Sequence, residues 1–347
     1  MLQKGTLQEL IELKGCIIIA EACDNHFGSL DRAKRMIQAA SASGADIIKF
    51  QHHIAEEEML KEVPRSGNFK GESLFEFLEK YALSIEDHVE LINVCEENNI
   101  HYLCTPFSLA AAIQLKQIGQ TVFKIGSGEF LDHWYLDKLS EFCDALIVST
   151  GMVNYEELED GVNYLNQQYD ELYVLNCTSE YPPVYEDIKL GNIQKLQLLW
   201  PDIVIGHSDH TPDLFTSFAA IASGAKIIEK HFYVDEDIIG PDTDVSISPK
   251  ELAELCIGRD KIVAAMGAGK KVNDLEKPIR AWAHRSVVST RGLKQGDYLT
   301  EKDIKTKRPG NGIPSREYKE LIGKRLTSDI NENQIIQWED VDANSVC

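Results

Sequence analysis

Positive charge is scarce in this sequence: 35 lysines and arginines face 56 aspartates and glutamates, for a formal net charge of −21. That balance excludes nonspecific attraction to nucleic acid or to an anionic membrane, and any anionic substrate must find a locally positive pocket. No apolar run is long enough to span a membrane, and Met1-Leu2-Gln3-Lys4-Gly5 lacks the apolar core of a secretion signal. The eight cysteines (16, 23, 95, 104, 143, 177, 256 and 347) include no C-x-x-C pair, so the spacing of a structural zinc site is missing. Several lie inside apolar stretches, which suits reduced thiols in a cytoplasmic protein. No Gly-x-Ser-x-Gly elbow occurs, which argues against serine acyl chemistry. Low-complexity sequence is also absent.

What the chain does contain is alternation. Short apolar runs at 17–21, 46–51, 102–105, 122–125, 145–149, 172–176, 203–206 and 226–229 read as strands. Amphipathic stretches at 30–43, 85–98, 109–118, 155–168 and 214–223 read as intervening helices. Ser29 and Ser84 stand where an N-cap belongs. Eight such units in about 250 residues is the arithmetic of a (β/α)₈ TIM barrel. A doubly wound sheet alternates in the same way but carries a Gly-rich turn after its first strand. Here Glu21-Ala22-Cys23-Asp24-Asn25-His26 follows instead. We therefore expect an α/β barrel over 1–270, a linker over 271–284 with Pro278 as its punctuation, and a small β-rich domain over 285–347.

Chemistry in such a barrel gathers at the C-terminal ends of the strands. Polar residues stand at nearly every candidate end, among them Glu21, Lys49, Gln51, Thr105, Lys124, Ser127, Ser149, Ser208, His210, Glu229 and His231. Each serine or threonine alone is more simply a cap or turn residue. Lys49 and Lys124 say more, because an ammonium inside an apolar strand is costly unless it meets an anion. The ordinary alternative is a lysine whose stem covers apolar surface. Together with Ser127 and Ser149, the pair would make a phosphate or carboxylate pocket. Strand alternation puts Glu229 and His231 on one side and Lys230 on the other. If the last two strands are neighbours, His210 and His231 converge on a candidate divalent-metal site. His26, His52, His53 and His207 carry weaker signals; His52 and His53, being adjacent, face opposite ways.

These residues resemble the bacterial sialic acid synthases, the phosphoenolpyruvate-dependent nonulosonate synthases, over almost the whole chain. The likeness runs through Ile18-Ile19-Ala20-Glu21, Asn25-His26-Phe27-Gly28, Lys49-Phe50-Gln51, Thr105-Pro106-Phe107 and Lys124-Ile125-Gly126-Ser127-Gly128-Glu129. It continues through Ser149-Thr150-Gly151-Met152, Cys177-Thr178-Ser179-Glu180-Tyr181-Pro182, Ser208-Asp209-His210-Thr211, Glu229-Lys230-His231-Phe232 and Gly240-Pro241-Asp242. Lys307-Arg308-Pro309-Gly310-Asn311-Gly312 resembles the family's antifreeze-protein-like (SAF) domain.

The resemblance implies condensation of phosphoenolpyruvate with open-chain N-acetylmannosamine and water, giving N-acetylneuraminate and phosphate with C–O cleavage. It implies a divalent cation held by His210 and His231, Mn²⁺ foremost, with Mg²⁺ and Co²⁺ also suited. Glu21 and Glu229 would flank the reacting centre as catalytic residues beside the two histidines. Lys49, Thr105, Lys124, Ser127, Ser149 and Ser208 would hold phosphoenolpyruvate. Gln51, Phe107, Ser179, Tyr181 and Asp242 would line the sugar side, and Arg308 would reach the acceptor across a domain-swapped homodimer. Alternatives are a synthase of legionaminate, pseudaminate or the 9-phosphate, and a catalytically silent sugar-binding relative. The acidic Glu56-Glu57-Glu58-Met59 loop argues against a phosphorylated acceptor. Four positions depart from the common pattern: the Ala22-Cys23-Asp24 turn replaces an Ile-Gly pairing, Gly126 stands for Ala, Ser179 for Asn, and Thr243 for His.

Overall fold

The structure is a computed structural model that describes residues 1–62, 73–235 and 240–345. The chain forms two compact units, Met1–Gly267 and Ala268–Cys347. In the first, eight parallel strands alternate with helices: β1 (Ile17–Glu21), β2 (Ile47–His52), β3 (His101–Pro106), β4 (Val122–Ile125), β5 (Ala145–Ser149), β6 (Leu172–Cys177), β7 (Val204–Asp209) and β8 (Ile227–His231). Their order is β3-β2-β1-β8-β7-β6-β5-β4. The two ends of this sheet, β3 and β4, lie against each other, so the barrel is nearly closed. All eight expected strands form, four of them a residue or two longer than the apolar runs.

Alternation within the strands determines what faces the lumen. Ile17 and Ile19, Ile47, Leu103, Val122, Ala145 and Ile147, Tyr173 and Leu175, and Ile227 make one buried cluster. Leu7 and Ile11 of the helix Thr6–Lys14 join that cluster. The intervening residues, such as Ile18, Ala20, Ile48 and Phe50, pack instead with the helices around the barrel. Continuing each lumen face by one or two steps of period two leads to Glu21, Lys49, Gln51, Thr105, Lys124, Ser149, Cys177, Ser208, Glu229 and His231. The apolar interior thus ends in a ring of polar side chains.

Helix starts follow the sequence closely. Ser29 accepts from the Arg32 amide, and Ser84 and Ser248 each form reciprocal capping boxes, with Asp87 and Glu251. At the other end of the barrel, buried Arg259 donates to Asp46 Oδ2 at 2.7 Å and to the Cys16 carbonyl at 2.8 Å. Among the described residues, no helix is long and apolar enough to cross a membrane.

The second unit has its own core, formed by Val287, Leu293, Leu299, Ile304, Ile313, Leu321, Leu326, Ile330, Ile336 and Val341. In it β9 (Ser286–Ser289) pairs antiparallel with β10 (Ile304–Lys307). The stretch 271–284, expected to be a linker, differs from that expectation: it carries a helix, Glu276–Ala283. Asn273 and Glu276 cap each other's amides at 3.1 and 3.0 Å. Pro278 then falls in the first turn, where no amide hydrogen is needed, so it is compatible with the helix.

Candidate functional site

The polar ring opens into a cavity of about 660 Å³. Every site residue expected in the barrel lines it, from Glu21 on β1 to His231 on β8 and Asp242 beyond it. Arg308 lies in the second unit, where its Nε donates to the Ala283 carbonyl at 3.0 Å. Its guanidinium sits 5.3 Å from the centre of the Trp282 ring.

Strand register makes the charge pairs. Glu21 lies beside Lys49 across β1 and β2, and Ser208 beside Glu229 across β7 and β8. Lys49 Nζ is 2.8 Å from Glu21 Oε2 and 3.4 Å from Glu229 Oε2, and it donates to Thr105 Oγ1 at 3.1 Å. Lys124 Nζ is 3.4 Å from Glu229 Oε1, which also accepts from Ser208 Oγ at 2.9 Å. One residue on, the same register joins Asp209 to Lys230 at 3.3 Å on the outer face. Lys230 therefore belongs to the packing between barrel and helices, not to the site.

All four charged groups of the cavity floor are buried. Burial favours neutral forms, and local charges decide which group yields. Burial pushes the Glu21 carboxyl up to about 7, reinforced by Glu229 and only partly offset by Lys49. Glu229 goes the other way: burial raises it, but Lys124, Lys49 and the Ser208 hydroxyl outweigh that and bring it to about 2. Glu229 faces two ammoniums where Glu21 has one close partner, so Glu229 is the fixed anion and Glu21 the carboxyl able to carry a proton near neutrality. Burial lowers Lys124, with help from Lys49. Lys49 is raised, because Glu21 and Glu229 together overcome its burial. With Glu21 protonated, two lysines and one ionised glutamate leave the floor net positive, which is the local field the acidic chain otherwise lacks. Ser149 Oγ is buried there with no hydrogen-bond partner, and Ser127 Oγ accepts from the Gly151 amide at 2.9 Å.

The histidines stand at one side of this floor. His210 and His231 have ring centres 5.2 Å apart, and Tyr181 stacks on His210 at 4.2 Å. His210 Nδ1 donates to the Thr178 carbonyl at 2.8 Å, leaving Nε2 to accept from the Tyr181 hydroxyl at 3.1 Å. Both nitrogens of His210 are thus engaged. His231 Nδ1 is buried without a hydrogen-bond partner. One ligand atom each from Cys23, His231 and Asp242 lies within 4.8 Å of the others. A histidine, a carboxylate and a thiol at this separation are a donor set that fits a divalent cation.

Three lining residues were not singled out from the sequence, Asp24, Glu129 and Cys177, and Glu58 of the acidic 56–59 stretch lines the cavity as expected of a group that acts on the acceptor. His53, assigned only a weak signal, lines the cavity as well. Its ring stacks on Phe107 at 4.4 Å and bridges Glu58 Oε2 at 2.8 Å and Gln51 Oε1 at 3.0 Å. Gln51 Nε2 passes the chain on to Glu21 Oε1 at 2.8 Å. The acidic stretch, expected as a loop, forms the short helix Ala55–Glu58 and is tied to the floor through His53. His52 faces outward to Gln114 at 2.8 Å, as strand alternation requires. Glu129 is raised to about 7, by burial first and then by Glu58.

Comparison with known proteins places these residues in context. The NeuB family profile matches residues 36–271 and the SAF domain profile residues 284–342. The chain is 36% identical over 334 residues to N,N'-diacetyllegionaminic acid synthase of Campylobacter jejuni, covering 94% of this chain and 100% of that protein. It is 32% identical to the N-acetylneuraminate-9-phosphate synthase of Homo sapiens, covering 94% of this chain and 93% of that one. Among solved structures, an N-acetylneuraminic acid (sialic acid) synthetase from Leptospira borgpetersenii superposes with a TM-score of 0.69 at 31% identity, covering 76% of this chain and 90% of that chain.

Proposed function

The chain belongs to the NeuB family, whose members here are phosphoenolpyruvate-dependent sugar acid synthases, and from that premise we propose that it joins phosphoenolpyruvate to the open-chain aldehyde of an unphosphorylated N-acetylated hexosamine. The observation that carries this is the pair of buried lysines on the cavity floor, with Ser149, Ser127, Ser208 and Thr105 as hydroxyl partners. Two ammoniums and several hydroxyls suit the phosphate and carboxylate of phosphoenolpyruvate. Glu229, the fixed anion, opposes positive charge that develops at C2 when C3 attacks the aldehyde. Glu21, hydrogen-bonded through Gln51, is placed to take the proton of the water that adds at C2 before phosphate leaves. Tyr181, Phe107, Ser179, Gln51 and Asp242 line the acceptor end. A divalent cation held by His231 with His210 beside it, Mn²⁺ or else Mg²⁺ or Co²⁺, would supply polarisation of the aldehyde oxygen.

Carboxylates at the acceptor end (Glu58, Glu129, Glu180, Asp24 and Asp242) speak for an acceptor without a phosphate. N-acetylmannosamine, giving N-acetylneuraminate, is the first reading. A second, N,N'-diacetyllegionaminate, is favoured by the 36% identity to the Campylobacter jejuni synthase of that acid and by the apolar Leu74, Leu78 and Met152 on the cavity wall. The deciding experiment is phosphate release with phosphoenolpyruvate and a panel of acceptors: N-acetylmannosamine, its 6-phosphate, and the diacetylated precursors of legionaminate and pseudaminate. The highest kcat/KM names the acceptor, and no turnover with any of them would overturn the synthase reading. A homodimer in which Arg308 reaches the acceptor belongs to this proposal. It predicts a dimer in solution and a raised acceptor KM in Arg308→Ala, and a monomer with unchanged acceptor kinetics would refute it.

A further inference from the structure

We propose that Cys23 is a thiolate ligand, alongside His231 and Asp242, of the divalent cation of this cavity, and that it biases the site toward Co²⁺, Zn²⁺ or Fe²⁺ over Mn²⁺ and Mg²⁺. The inference concerns the metal of the proposed reaction but stands on its own observations. Cys23, His231 and Asp242 each offer a donor atom, all within 4.8 Å of one another. Two donors on opposite sides of one ion, each roughly 2.0–2.3 Å from it, are up to about 4.6 Å apart, so small side-chain adjustments bring all three onto a single ion. His231 is 5% exposed, and its Nδ1 has no hydrogen-bond partner. A buried ring nitrogen left unpaired in this way is an exception among buried polar groups.

The chain reaches this arrangement from three separate places. Cys23 follows β1, His231 ends β8, and Asp242 comes from the loop beyond it. Strands β1 and β8 are paired neighbours with Glu21 level with His231. Two residues past Glu21 the backbone turns, and Cys23 takes φ of 40°, a left-handed conformation that glycine adopts at less cost. A fully buried cysteine at such a position turns its sulfur toward His231 and Asp242. His210 lies outside this three-donor group, its nitrogens already held by Thr178 and Tyr181. In this arrangement Asp242 serves the metal rather than the sugar alone.

A thiolate changes which ion is preferred. Soft sulfur favours Co²⁺, Zn²⁺ and Fe²⁺, whereas an imidazole–oxygen site accepts Mn²⁺ and Mg²⁺ readily. The simple alternative is a Cys23 thiol that only donates to Asp242 and never meets a metal.

The test uses the full chain, stripped by chelator, under reducing and anaerobic conditions, titrated with Co²⁺ alone. One equivalent should produce a near-ultraviolet thiolate-to-cobalt charge-transfer band. The band should persist in Cys177→Ser, a cysteine that lines the cavity, and vanish in Cys23→Gly, chosen because glycine suits the left-handed turn. Cys23→Gly and Asp242→Asn should each weaken Co²⁺ binding at least tenfold, and Cys23→Gly should cut the Co²⁺-over-Mn²⁺ preference by a similar factor. Should the variants fold poorly, X-ray absorption of the zinc-loaded wild type reports directly, with one sulfur expected at about 2.3 Å. No charge-transfer band in the wild type, a band unchanged in Cys23→Gly, or a zinc shell of nitrogen and oxygen only would each overturn the assignment. Turnover without the band would sink this ligand while leaving the synthase standing; the band without turnover would do the reverse.

Discussion

Lys124→Met offers the sharpest check on the cavity floor, because a matched change exists one residue from Glu229. Lys124 is 2% exposed, its Nζ 3.4 Å from Glu229 Oε1. Removing one partner of a buried ion pair costs roughly 3–5 kcal/mol. Glu229 retains Lys49 at 3.4 Å and the Ser208 hydroxyl at 2.9 Å, so the low end, about 3 kcal/mol, is expected. Lys230→Met on the outer face should destabilise by a comparable amount, about 3 kcal/mol. Its partner Asp209 keeps the Thr211 amide at 2.9 Å and the Thr216 hydroxyl at 2.7 Å. The two variants should therefore unfold alike in denaturant yet differ in kinetics. A hydrogen bond to a charged group contributes about 1.5–3 kcal/mol, and each 1.4 kcal/mol is tenfold, so Lys124→Met should raise the phosphoenolpyruvate KM roughly 10- to 100-fold. Lys230→Met should leave that KM unchanged once activity is scaled to folded protein. Steady-state phosphate release at saturating acceptor, with phosphoenolpyruvate varied, reads the difference. Equal KM shifts in both variants, or none in Lys124→Met, would refute the assignment of Lys124 to the anion pocket.

Thorough chelation should abolish phosphate release, and returning a divalent ion should restore it; full activity in metal-stripped protein would remove the metal from the reaction. Gly151→Ala should raise substrate KM about tenfold, since its Cβ would lie 2.2 Å from Ser179 Oγ and 2.9 Å from Ser127 Oγ. Gly191→Ala, with nothing within 4 Å, is the silent control. Glu129 makes a pH prediction: burial, then Glu58, raises its carboxyl to about 7, against the opposing pull of Lys124 and His53. A carboxyl raised on folding contributes stability that is fully present below its unfolded value and lost as pH rises through about 7. Glu129→Gln should therefore flatten the fall in thermal midpoint between about pH 5 and about pH 8, and identical slopes in variant and wild type would refute this.

What could be read in advance divides along the period of the strand. Eight apolar runs, each with a polar group at or near its end, carry both the barrel and its cavity floor, because period two extends from a buried apolar residue to the polar residue two places on. Ile47 and Lys49, Ile227 and Glu229, and Leu103 and Thr105 share the inner face for that reason. The helix at Glu276–Ala283 escaped notice because Pro278 reads as a breaker unless the capping by Asn273 is known. Glu129 escaped because it reaches the cavity from a turn, where no period says which way a side chain points.

His53 and Cys23 are the more instructive cases. Alternation correctly required His52 and His53 to face opposite ways, but only the Phe107 ring and the Glu58 carboxylate determine which of them enters. Cys23 was visible as a departure from an expected glycine-containing turn, and nothing local explains a cysteine there. The structure gives the departure a meaning that spacing could not: its sulfur meets a histidine from the neighbouring strand and an aspartate 219 positions away in sequence (242 − 23). A residue that fits its own turn poorly but its distant neighbours well points to chemistry at that position, since the cost of the turn is local and the compensation must come from what the side chain binds.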